Sequence, residues 1–251
     1  MPVDDDAWAL LLEGHHGKVY LIANNPLITA SDIRRLQIGP DDMIVQFNKT
    51  IHAERLASVA ARKVFVYREK ADTGIFFGFP PAGDVARDRG GGATIILAFN
   101  DAVASGRLST EVLEALAGGG EAVAVAAVPW LESEWLDPSP FPDRPVTPTT
   151  GLLTLKGMQD FAARAGLSTT FVAVGFSGSH RPFWREHHIA HERAWLKRCG
   201  AVRINHSPWV AAVDRLRRAS KSVRRVIRRP IRRLRRAASR GSAPNRPSQR
   251  P

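Results

Sequence analysis

Cysteine is almost absent from this chain. Cys199 is the only one among 251 residues, which excludes an intrachain disulfide and fits a reducing compartment. Acid is missing from the C-terminal stretch: from Arg215 onward there are 15 Lys or Arg and no Asp or Glu. The remaining 21 bases against 24 acids leave residues 1–214 at −3, so the overall +12 is a property of the end of the chain. No apolar run approaches the roughly 20 residues that cross a bilayer. The run Ala7 to Leu12 is too short for a signal peptide and follows an acidic M-P-V-D-D-D start rather than a basic one. Outside that acidic start no Asp-x-Asp pair, the usual holder of a metal for diphosphate-sugar donors, occurs. The expectation is a cytoplasmic protein, peripheral on the inner face of the membrane if its basic end takes it there.

What is present fits one sizeable core, with 44% hydrophobic residues. Short β-branched and aromatic runs predict strands at 18–23, 43–47, 63–67, 94–99, 122–128, 169–174 and 201–204. Helical patterns fall between them, at 32–36 after a Thr29 or Ser31 cap, at 51–62, from Ser109, from Gly151 to about 165, and at 186–198 before Gly200. Residues 72–92 read as loop. Residues 129–148, with six prolines among Trp130, Trp135 and Phe141, read as a long loop or lid. Alternation of this kind predicts a single Rossmann-like α/β domain over 1–208, its central sheet mainly parallel and flanked by helices. Ligands in such sheets sit beyond the strand C-termini.

Three groups of residues could carry chemistry there. Asn24, Asn25 and Asn48 stand just past strand ends. An uncharged amide suits ribose hydroxyls and phosphate oxygens, and equally a structural turn. In T-P-T-T-G (Thr147 to Gly151), Thr149 or Thr150 falls at a helix N-cap, where N–H groups and hydroxyls can hold an anion or simply cap the helix. His180, His187, His188 and His191 lie within twelve residues of one another. A histidine is the usual base for a hydroxyl nucleophile. Metalloprotease spacing is absent, because Glu192 follows the last histidine instead of the first, so no metal site is expected.

The order of these blocks resembles the sialyltransferase family of CMP-sugar glycosyltransferases. The family's long motif is similar to Lys18 to Thr50, with I-A-N-N-P for V-G-N-S-G and V-Q-F-N for V-R-F-N. Its short motif resembles Pro148-Thr149-Thr150-Gly151 through Val174-Gly175-Phe176. Its very short motif resembles His187-x4-Glu192, followed by a helix, Gly200 and a V-R-I strand. The resemblance implies that Asn24 and Asn48, with Asn25 beside them, and Thr149, Thr150 and Gly151 bind the donor. It implies that His187 is the base, that Glu192 orients its helix, and that His180 serves the leaving phosphate. The chain departs from animal members in lacking a cysteine in either of the first two motifs and in its short segment before His187. Residues 51–146 match nothing in the family, and the acceptor is expected to be read there.

The implied reaction is inverting transfer of a sugar acid, sialic acid or Kdo-like, from a CMP-sugar donor to a hydroxyl of a glycan or glycolipid precursor. It would need neither a cofactor nor a divalent metal. Residues 209–240 alternate arginines with Val210, Val213, Leu216, Val223, Val226, Ile227, Ile231 and Leu234. This predicts a basic amphipathic helix, interrupted at Pro230, that partners an anionic membrane surface. Residues 241–251 are expected to be a disordered tail. The rival reading is a non-catalytic nucleotide- or RNA-binding α/β protein directed by its Arg-rich tail; nucleic acid is the less favoured partner because aromatic stacking residues are absent from the arginine run after Trp209.

Overall fold

The structure, a computed structural model, describes residues 6–48, 51–68, 93–99, 123–128, 148–176, 189–205 and 212–213. The chain divides into two compact units, Met1–His206 and Ser207–Pro251. In the second only Ala212 and Val213, both helical, are described. The amphipathic helix and tail expected over 209–251 otherwise lie outside the described residues, as do the loop 72–92, the helix from Ser109 and the lid 129–147.

Seven strands form one parallel sheet in the first unit. They are β1 (Val19–Ile22), β2 (Met43–Phe47), β3 (Arg62–Arg68), β4 (Ala93–Phe99), β5 (Val123–Val128), β6 (Phe171–Val174) and β7 (Val202–Ile204). All four residues of β1 and all five of β2 are buried, as expected for strands covered on both faces. The spatial order is β5-β4-β3-β2-β1-β6-β7. Strand order therefore runs outward from β1 to β5, then reverses, and β6 returns to the other side of β1. Val19 pairs with Met43 on one side and with Phe171 on the other.

Helices cover both faces. α1 (Asp6–Leu12), α4 (Thr150–Arg164) and α5 (Ile189–Arg198) pack on the face that carries Leu21, Val45, Phe47, Val66 and Ala173. α2 (Ala30–Arg35) and α3 (Ala53–Leu56) cover the other, with Tyr20, Ile22, Ile44, Val172 and Val174. The alternation follows from the two-residue period of a strand. Among the described residues no helix is long and apolar enough to cross a membrane.

One local reading of the sequence needs correction, and one stretch holds a helix that its pattern did not announce. Ala7 to Leu12, too short for a signal peptide, is most of a helix; it buries Ala7, Trp8, Leu11 and Leu12. Seven residues are too few to hold a helix alone, so α1 exists through that burial. The helix expected over 51–62 is only Ala53–Leu56. The chain must turn early because Arg62 already pairs with Met43 and its N–H donates to Asp42 O at 3.1 Å. At α2 the alternatives resolve to Thr29, whose hydroxyl accepts from Asp32 N at 3.1 Å while Asp32 Oδ2 accepts from Thr29 N at 2.9 Å. This reciprocal pair satisfies two donors that the helix start would otherwise leave bare.

Candidate functional site

The loop after β1 is tied to both neighbouring strands. Asn24 is exposed, and its Nδ2 donates to Phe47 O at 2.6 Å, joining the end of β1 to the end of β2. Asn25 is buried; its Nδ2 donates to Gly175 O at 2.9 Å and its Oδ1 accepts from Leu27 N at 3.0 Å. Gly175 closes β6 at φ +78°, with Ile28 3.0 Å from where a Cβ would stand. Both facts require glycine there. Beneath the loop, the buried His52 contacts Asn25 O through Nε2 at 3.1 Å and Arg55 Nη1 through Nδ1 at 3.1 Å. A carbonyl accepts and a guanidinium donates, so Nε2 carries the proton and Nδ1 is bare. Burial first, then the Arg55 charge, holds this imidazole below its ordinary pKa, and the ring is neutral at pH 7.

Asn48 follows β2 in the left-handed region, φ +43°, which Asn tolerates better than most residues. The turn swings its amide across the strand ends. Nδ2 donates to Thr150 Oγ1 at 3.1 Å, and Oδ1 accepts from Arg68 N at 3.2 Å. Arg68, buried at the end of β3, sends Nη1 to Pro148 O at 2.9 Å. The guanidinium thus holds the segment that enters α4. Thr149 is the N-cap, its Oγ1 accepting from Leu152 N at 3.4 Å. Gly151 lies beneath the Phe176 ring, which would stand 2.6 Å from an added Cβ, and Phe47 meets that ring edge-on, centroids 6.0 Å apart.

Glu192, in the first turn of α5, completes the arrangement. Thr149 N donates to its Oε1 at 2.8 Å and Thr149 Oγ1 to its Oε2 at 2.8 Å. The carboxyl is buried, and desolvation raises its pKa from 4.5 to about 7, outweighing the two Thr149 bonds and the Arg68 charge that pull it down. The anion position expected at the start of α4 is thus partly taken by the protein's own carboxyl. The N–H groups of Thr150 and Gly151 head the first turn, where no intrahelical acceptor exists.

Asn24, Asn25, Asn48, Thr149, Thr150, Gly151 and Glu192 therefore meet at the C-terminal ends of β1, β2 and β6. That is where the strand order reverses. His180, His187 and His188 lie outside the described residues, and His191 falls on α5 with its side chain undescribed. Arg68 and His52 were not singled out by the sequence. Arg68 has one signal in the sequence, a charge closing the apolar run V-F-V-Y. Among the described residues no three His, Cys, Asp or Glu side chains stand close enough to share an ion.

Fold and site together define a parallel α/β protein whose polar residues gather at the reversal point of its sheet. No family model, no curated protein and no solved structure matches the chain.

Proposed function

We propose that the chain is an inverting glycosyltransferase, built on a Rossmann-like sheet, that moves a sugar acid from a CMP-sugar donor to a hydroxyl of a glycan or glycolipid precursor without a divalent metal. The observation that carries this reading is the Glu192 carboxyl on the cap of Thr149, with Asn48 on Thr150 beside it. Through these contacts parts of all three blocks that resemble the sialyltransferase motifs meet at one set of strand ends. Open parallel sheets bind ligands at such a reversal.

In this reading the cytidine nucleotide lies across the ends of β1 and β2. Asn24 and Asn48 each engage one partner through Nδ2 within the fold and keep the second N–H for ribose or phosphate. Thr150 and Gly151 offer main-chain N–H groups to the leaving phosphate, and His180 adds a donor there. Asn25 and Thr149 act through the loop and cap they hold. The acceptor hydroxyl attacks the anomeric carbon as the bond to the CMP phosphate breaks, and His187 takes the hydroxyl proton. The covalent chain supports that last role: three helical steps and two extended ones keep His187 within roughly 12 Å of Glu192. Donors aimed at the departing phosphate stabilise the charge that builds on it. Residues 209–240 would hold the enzyme on the anionic inner face of the membrane, near a lipid-linked acceptor.

His187→Ala tests the reading. Transfer falls by roughly 10²- to 10⁴-fold, the contribution of a positioned base, while CMP binding persists. An unchanged transfer rate removes the base assignment.

A further inference from the structure

A cleft of about 180 Å³ opens between β6, β7 and α5, on the Phe176 ring that also covers Gly151. Ala173, Leu196 and Phe176 form an apolar floor, and Arg193, Lys197 and Arg203 stand around it with Asn205. Ala173 and Leu196 are buried, while the three cations are exposed. Strand register explains the arrangement: Arg203 pairs with Ala173, so its side chain falls on the face that α5 covers.

No carboxylate lines the cleft among the described residues. Arg193 and Lys197 are four apart on α5, a spacing at which like charges repel. Lys197, in the last turn, complements the helix dipole, and an inward charge on an edge strand such as β7 discourages edge pairing. Arg193 has neither role. Three cations about one apolar floor fit an anionic ligand with a small flat body. The volume lies below the roughly 300 Å³ at which pockets hold drug-sized ligands, which suits a small body on the floor of the cleft.

We propose that this cleft binds a phosphate monoester on a small ring-like body. The two guanidiniums would grip the phosphate oxygens in paired N–H bonds, and the body would rest on Phe176. Nothing in this assignment depends on the glycosyltransferase reading.

The test is calorimetric titration of the full chain at fixed ionic strength, using inorganic phosphate and phenyl phosphate as probes, with and without CMP. Phenyl phosphate binds saturably and more tightly than inorganic phosphate, because only it uses the floor. Arg193→Gln and Arg203→Gln each weaken it roughly tenfold or more, the loss expected for one charge-assisted hydrogen bond. Both positions are exposed, so the melting temperature stays near the parent's. Binding that the double variant retains belongs to the Arg-rich C-terminal stretch and overturns the assignment, as does an absence of saturable binding. Displacement by CMP also overturns it, by placing the phosphate at the asparagine and threonine cluster. If CMP does not bind at all, the glycosyltransferase reading fails while the variant comparison still decides this one.

Discussion

Glu192 accepts two hydrogen bonds from Thr149, both at 2.8 Å, one from the backbone N–H and one from the hydroxyl. Across 43 positions of sequence it fastens the start of α5 to the cap of α4.

The pair makes stability depend on pH in a definite direction. Burial raises the folded pKa of Glu192 from 4.5 to about 7, so the folded state binds the proton more tightly than the unfolded one. Its contribution is fully present below about pH 4.5 and is lost as pH rises through about 7, on the order of 3 kcal/mol. His52 works in the opposite sense: its pKa is lowered, so its contribution is lost as pH falls below 6.5. Comparison with Glu192→Gln separates the two. The Gln amide accepts from Thr149 N–H, donates to Thr149 Oγ1 and does not titrate. Chemical denaturation from pH 5 to 7.5 is predicted to show the parent losing stability relative to the variant, in which the His52 contribution gained as pH rises is no longer opposed. Parallel profiles would contradict the burial argument. Glu192→Ala, which strands the Thr149 donors, costs about 1–3 kcal/mol at pH 5 and less at pH 7.5, where the contribution of the buried carboxyl has been lost.

Gly175→Ala tests the junction between the β1 loop and β6. A left-handed conformation costs an L-residue roughly 1–2 kcal/mol, and the new Cβ would stand 3.0 Å from Ile28 and 3.3 Å from that of Asn25. The melting temperature is predicted to fall by roughly 2–8 °C for a unit of this size. Adding Ile28→Val recovers part of the loss, because it removes Cδ1, one of the two Ile28 carbons at 3.0 Å, and leaves the backbone penalty. Full recovery would mean that the φ of Gly175 carries no cost.

Much of this architecture is legible in the residues. β1 is an unbroken apolar run and β2 is interrupted only by Gln46, because both their faces are covered. Asn48 and Thr149 are marked by their positions after a strand and before a helix. α1 is hidden because D-A-W-A-L-L-L covers barely two turns and shows no period. Arg68 and His52 are hidden for another reason: their partners include the main-chain carbonyls of Pro148 and Asn25. A carbonyl has no residue identity to read. The contact of Glu192 with Thr149 leaves no local trace either, since it exists only once β6 has returned beside β1.

The basic stretch 209–240 is predicted to take the full chain up with vesicles containing anionic lipid and not with zwitterionic ones. Each Lys or Arg near such a surface adds about 1 kcal/mol, and the attraction weakens with salt. Flotation with anionic vesicles supports the membrane reading. An RNA mobility shift at the same salt without flotation overturns it in favour of a nucleic-acid partner.

The central claim, a cytidine-nucleotide site at the ends of β1 and β2, is tested most directly by the thermal shift of the full chain with CMP, CDP, UDP and GDP. At a hundredfold excess over Kd a ligand stabilises the folded state by about 2.7 kcal/mol, or roughly 5–10 °C here. CMP is predicted to give that shift selectively, and Asn48→Ala to reduce it. No shift with CMP, or equal shifts with UDP and GDP, would contradict the account.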